Sequence, residues 1–179
     1  MTTVTLPGTT LTTTRLGFGC SALLGPRSKS QALELLETAY DSGIRHFDVA
    51  RSYGFGDAEG VVGEFLKRHP NGLTVTTKFG LQPLKAVARM RFLVNLARQL
   101  MRLSPALRRA IGAQARNVVK QGAFAVPDVQ ESLETSLHEL GRERIEVYLL
   151  HDCRLEDCTP ELLAFLHEAA RAGKIGHFG

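Results

Sequence analysis

Ile145-Glu146-Val147-Tyr148-Leu149-Leu150, closed by His151, is the stretch from which the fold is read. It is apolar at every position but Glu146, rich in β-branched and aromatic residues, and too short for a helix of ordinary length, so it reads as a buried strand. Before it, Asp128 is placed to cap a helix running to Leu140, with Gly141 as its stop. After it, Glu161 to Arg171 reads as a second helix closed by Gly173, and Lys174 to Gly179 opens a further strand.

Working back toward the N-terminus, the alternation continues. Leu73 to Lys78 is a β-branched strand through Thr74, Val75, Thr76 and Thr77. Ala58 to Arg68 is a helix and Ile44 to Val49 a strand. A helix capped by Ser30 presents Ala32, Leu33, Leu36, Ala39 and Tyr40 on one face and stops at Gly43. Arg15 to Cys20 is a short strand, and Val4-Thr5-Leu6, Pro7-Gly8 and Leu11-Thr12-Thr13 form an N-terminal hairpin. Strands alternating with helices imply a parallel α/β architecture, either a doubly wound sheet or a barrel. Neither of the first two strands is followed by a G-x-G-x-x-G or a G-x-x-x-x-G-K-[ST] phosphate loop, which counts against a dinucleotide-binding or P-loop sheet. A (β/α)8 TIM barrel is favoured, with its first four β/α units in this chain, although the pattern alone does not decide it.

Hydrophobic residues make up 44% and charged residues 22% of the 179, a globular balance that excludes disorder over the whole length. No apolar run reaches the ~18 residues of a membrane span, and Met1 to Thr14 has no signal-peptide pattern, so a cytoplasmic location is expected. Three cysteines, Cys20, Cys153 and Cys158, suit a reducing compartment better than a disulfide framework. His151, Cys153 and Cys158 lie close in sequence but lack the paired spacings of a zinc site, so no metal is expected. The net charge of +4 comes from one segment: all nine charged residues from Leu81 to Pro127 are basic, and the rest of the chain is net acidic. A nucleic-acid partner is therefore not indicated. That segment, residues 81–124, is too long for a connection inside a barrel. Arg91, Arg98, Arg102 and Arg109 share one helical face, with Pro105 as a break, so it reads as two basic amphipathic helices inserted after the third strand. A lid over the mouth is the preferred role, ahead of an acidic-partner patch or a membrane-surface element.

The polar residues at strand ends carry the chemistry. Asp48 ends the second strand, Tyr53 follows in its loop, Lys78 ends the third, and His151 ends the fourth. In a β/α barrel these positions face one C-terminal mouth. A tyrosine hydroxyl, with a reference pKa of about 10, becomes a usable proton donor when an ammonium stabilises its phenolate. A carboxylate can hold the ammonium, and a histidine can orient a carbonyl. Each residue alone has a duller explanation: a turn cap for Asp48, a half-buried tyrosine, a solvated lysine, a satisfied core histidine. Their occurrence together is what argues for a site. His46, His69, His138, His167 and His177 lack such a context and are expected to be structural or exposed. Cys20 and Cys153 near the mouth are expected to be idle thiols.

Gly43-Ile44-Arg45-His46-Phe47-Asp48-Val49-Ala50 with Ser52-Tyr53-Gly54 resembles the signature of the aldo-keto reductase family. Thr77-Lys78-Phe79-Gly80, Tyr148-Leu149-Leu150-His151, and the helix from Asp128 to Gly141 are similar to that family in the same order. The resemblance covers nearly the whole chain apart from the basic insertion. It implies one partial aldo-keto reductase domain over residues 1–179, reducing a small aldehyde or ketone by hydride transfer from NADPH, or less often NADH, without a metal. It further implies Tyr53 as general acid, Lys78 as its partner, Asp48 as the counter-ion of Lys78, and His151 as carbonyl orienter. Gly19, Cys20 and Ser21, with Asp48, match the segment that passes the nicotinamide and its ribose. A barrel of this kind needs ~250 residues or more, and the resemblance implies that most of the cofactor clamp follows Gly179. The sequence is therefore expected to be a fragment, inactive when isolated, that self-associates or is complemented through an open sheet edge. Two alternatives stay open: a non-catalytic regulatory or binding module, and a half-barrel subunit needing a partner chain.

Overall fold

The computed structural model describes residues 1–24, 27–83 and 119–179. The two basic helices expected between Leu81 and Phe124 fall almost entirely on residues 84–118, outside the described residues, and so does their reading as a lid.

The N-terminal hairpin forms as β1 (Thr3–Thr5) and β2 (Thr12–Thr14), paired antiparallel with Thr3 opposite Thr14. A five-stranded parallel sheet follows, made of β3 (Gly17–Gly19), β4 (His46–Asp48), β5 (Thr74–Phe79), β8 (Ile145–Leu150) and β9 (Ile175–Phe178). Between β5 and β8, β6 (Gln82–Pro83) and β7 (Val119–Lys120) form a separate antiparallel ribbon. Two residues a side leave no readable alternation, which is why the ribbon has no signature in the sequence.

Strand order settles the choice between sheet and barrel. The order β3-β4-β5-β8-β9 follows the chain without reversal, whereas a doubly wound sheet reverses at a switch point. The connecting helices are α1 (Lys29–Asp41), α2 (Ala58–Arg68), α3 (Val126–Leu140) and α4 (Pro160–Arg171). They pack in the same succession, α1 on α2, α2 on α3, α3 on α4. A sequential sheet with a sequential row of helices is the wall of a β/α barrel.

The core lies between sheet and helices. Phe47, Val75, Phe79 and Tyr148 meet Leu36, Phe65, Leu133, Leu140 and Leu166 in one cluster, with the Phe47 and Phe65 rings 4.9 Å apart. Helices α2 and α3 approach closely because Gly63 has no side chain: a Cβ there would stand 2.1 Å from the Glu139 carbonyl oxygen.

Two caps differ from expectation. Ser28, not Ser30, caps α1: its hydroxyl accepts from Gln31 N while the Gln31 side chain accepts from Ser28 N. Ser28 has the extended backbone a cap needs (φ −75°, ψ 163°), and Ser30 already lies in the helix. Asp128 is not the cap of α3 but sits in its first turn; Ala125 holds the cap position, and Pro127 is the second residue of the helix. There the Asp128 carboxylate complements the helix dipole. Among the described residues no helix is long and apolar enough to cross a membrane.

Candidate active site

Parallel register brings the strand ends level. Gly19 pairs with Asp48, Asp48 with Thr76, Thr76 with Val147, and Val147 with His177. Lys78, penultimate in β5, stands two residues further toward the carboxyl end and reaches back over Asp48. Its Nζ makes an ion pair with Asp48 Oδ1, donates to the Val49 carbonyl at 3.1 Å, and lies 3.3 Å from the Tyr53 hydroxyl. Lys78 is 13% exposed and Asp48 43%, so the ammonium is enclosed while the carboxylate keeps an open flank. The Tyr53 ring meets the His151 ring edge-on, centroids 5.7 Å apart. The four residues expected to form one site are thus together.

The local backbone accounts for these positions. After β4 the chain turns sharply: Tyr53 N donates to the Ala50 carbonyl at 3.0 Å, and Gly54 and Phe55 both adopt left-handed conformations, with φ of 57° and 56°. For Phe55 that costs of order 1–2 kcal/mol. Asp152, directly after His151, is left-handed too, with φ 57°. Backbone strain of this kind gathers at functional sites, and here it adjoins both Tyr53 and His151. Gly80 after β5 is obligatory, because its φ is +104° and a Cβ would fall 2.3 Å from the Phe124 ring. That ring returns the chain from the insertion to the mouth and packs edge-on against Phe79. The ribbon β6–β7 starts beside the Tyr53 turn, and Gln82 Nε2 donates to the Asp128 carbonyl at 3.1 Å.

Burial, reinforced by the Lys78 charge, holds the His151 pKa below its usual value, with the nearby Asp152 and Asp48 opposing. Its imidazole is therefore neutral at pH 7, and its Nδ1 is buried with no hydrogen-bond partner among the described residues. His46, one turn of the pleat below Asp48, is also held low by burial and shares a 2.8 Å hydrogen bond with Thr76.

Gly19, Cys20 and Ser21 run along the edge of this mouth. Cys20 N donates to the Asp48 carbonyl at 2.8 Å. Cys20 is fully buried, and its thiol is pushed up to about 12 by that burial and by the Asp48 charge. Gly19 and Ser21 are exposed, and open space lies where a Gly19 side chain would be. This strip lies beside the open flank of Asp48. Among the described residues no group of three or more His, Cys, Asp or Glu is arranged to hold a metal ion.

The sequence reading passed over Arg51 and Glu59 and saw Thr77 only as part of a strand and a motif, yet the three form a hydrogen-bonded cluster, with Glu59 and Thr77 buried, against the back of the site. The available signal was Glu59 itself, a charge on the α2 stripe that also carries Val62 and Leu66.

A sequentially wound β/α wall with an Asp, Lys, Tyr and His cluster at its carboxyl end defines a barrel protein with its site at the C-terminal face. Residues 15–179 match the model of the Aldo/keto reductase family, and the chain belongs to that family. It is 44% identical over 75 residues to a pyridoxal 4-dehydrogenase from Microbacterium luteolum, covering 40% of this chain and 22% of that protein. It is 29% identical over 153 residues to a D-threo-aldose 1-dehydrogenase from a Pseudomonas species, covering 79% and 41% respectively. The structure superposes on an aldo-keto reductase from Bacillus halodurans in its holo form with a TM-score of 0.76 at 22% identity, covering 100% of this chain and 49% of that one. The chain spans less than half the length of each of these relatives.

Proposed function

We propose that this site reduces an aldehyde or ketone to an alcohol, with Tyr53 as general acid and a reduced nicotinamide cofactor, NADPH or alternatively NADH, as hydride source. The observation that carries the reading is the Lys78 ammonium, held by Asp48 and set 3.3 Å from the Tyr53 hydroxyl. The Tyr53 hydroxyl donates its proton to the carbonyl oxygen. Lys78 stabilises the negative charge left on the phenol oxygen, and Asp48 fixes Lys78 in place. Neutral His151 donates from its ring N–H to the same carbonyl and orients it. Gly19, Cys20 and Ser21, with Asp48, would lie along the nicotinamide and its ribose, and the bound cofactor supplies the hydride. The relatives named as dehydrogenases support redox chemistry at such a site.

The activity is proposed for the native protein that carries these residues. The isolated 179-residue chain is proposed to be inactive, because it covers 49% or less of the relatives compared. Three free cysteines suit a cytoplasmic location. Exchange of Tyr53→Phe is the test: carbonyl reduction is expected to vanish while cofactor affinity, read by fluorescence titration, stays near that of the native protein. Turnover that survives in Tyr53→Phe sinks the assignment.

A further inference from the structure

One buried charge has no part in the reaction above. Glu59, in the first turn of α2, is 1% exposed. A carboxylate in such a place must be paired and hydrogen-bonded, and both of its oxygens are. Arg51 Nη1 donates to Oε2 at 2.6 Å, and the Thr77 hydroxyl donates to Oε1 at 2.6 Å. The two donors come from the segments that matter. Arg51 lies in the loop between Asp48 and Tyr53, and Thr77 immediately precedes Lys78 in β5. Successive strand side chains point to opposite faces. Thr77, bonded to α2, points toward the helices, which turns Lys78 toward the mouth. Fixing the Thr77 hydroxyl therefore fixes the rotation of β5 from which Lys78 projects. Fixing the Arg51 guanidinium, 15% exposed, anchors the loop that carries Tyr53.

Stability alone does not call for this arrangement, because apolar residues of similar volume are often as good as a buried ion pair. What the pair supplies is a defined geometry between two segments. We infer that Glu59, with Arg51 and Thr77, is a positioning cluster that holds the Lys78 ammonium against the Tyr53 hydroxyl and thereby governs proton transfer without touching substrate. The inference rests on the roles proposed above for Tyr53 and Lys78. Displacement of the ammonium by even an ångström weakens a charge-assisted contact and slows the step it serves.

The test uses Thr77→Val, which removes one link and leaves the Arg51–Glu59 pair, and Glu59→Gln, which keeps the shape and removes the charge. Thermal unfolding establishes that each variant folds, and Thr77→Val alone suffices if Glu59→Gln does not. The first readout is acetylation of Lys78 by a water-soluble N-hydroxysuccinimide ester, mapped by peptide mass spectrometry with exposed Lys29 as internal standard. Lys78 is expected to react several-fold faster in the variants while Lys29 is unchanged. The second readout is carbonyl reduction by the native protein and its variants: kcat should fall about tenfold, KM and cofactor affinity should hold, and the solvent deuterium isotope effect on kcat should grow. An unchanged Lys78 rate in Thr77→Val overturns the cluster's role. Faster labelling with unchanged kcat and isotope effect overturns its link to proton transfer. A native protein that reduces no carbonyl compound defeats the proposed reaction, and the labelling then decides separately whether the cluster holds Lys78.

Discussion

Replacement of Lys78 by methionine removes one positive charge and keeps most of the side chain's length and packing. At the 3.3 Å that separates Nζ from the Tyr53 hydroxyl, unit charges interact by about 5 kcal/mol at an effective dielectric of ~20. With roughly half a charge developed on the phenol oxygen in the transition state, the loss is about 2.5 kcal/mol, a rate reduction of roughly 70-fold. The exchange also leaves the Asp48 carboxylate without its ammonium partner beside the site, where it opposes phenolate formation and deepens the loss. A second exchange, Asp48→Asn in the Lys78→Met background, should therefore recover part of the rate. Single-turnover reduction, followed by the disappearance of reduced-nicotinamide absorbance at saturating cofactor, isolates the step from binding and release. A Lys78→Met rate close to that of the native protein would refute the electrostatic account. A double variant slower than the single would refute the role given to Asp48.

The depressed His46 and His151 pKa values make stability depend on pH in a definite direction. In the unfolded chain both titrate near 6.5, and in the folded protein lower. As pH falls through 6.5 the unfolded chain takes up protons that the folded one refuses, so stability should decline below that pH until the folded values are reached. Denaturant unfolding from pH 7.5 to 5 checks this, and equal midpoints across the range would contradict it. Cys20, with its thiol buried and pushed up to about 12, should resist iodoacetamide at pH 8 in the folded protein while exposed Cys153 is modified; rapid labelling of Cys20 without denaturant would count against its buried position. Gly63→Ala should cost ~3 kcal/mol or more, because its Cβ meets the Glu139 carbonyl oxygen at 2.1 Å. For a chain of this size that lowers Tm by roughly 6 °C or more, and an unchanged calorimetric Tm would show that α2 and α3 do not cross there.

Much of this protein is legible one segment at a time. The helix α2 and the strand β8 begin and end where the apolar pattern places them, because periodicity and stop signals act over a few residues. Asp48, Lys78 and His151 stand out as polar groups at or next to the ends of strands, and Tyr53 in the loop after the strand that Asp48 ends. Caps are less legible: Ser28 and Ser30 offer the same hydroxyl, and only the backbone angles choose between them. Glu59 escaped notice because an acidic residue in the first turn of a helix is ordinary; its importance lies in being covered by Arg51 and Thr77, which no local pattern announces.

The sequence by itself determined the alternation of strands and helices, the residue types at the strand ends and the family resemblance they carry. The order of the strands, the ribbon at the base of the insertion and the distances among the site residues came only with the tertiary structure. Lys78 and Asp48 are 30 residues apart, and Lys78 and Tyr53 25. What brings them together is the register of parallel strands, in which every hydrogen bond joins segments separated by a whole helix, and that pairing is decided by packing across the entire sheet rather than by any stretch within it.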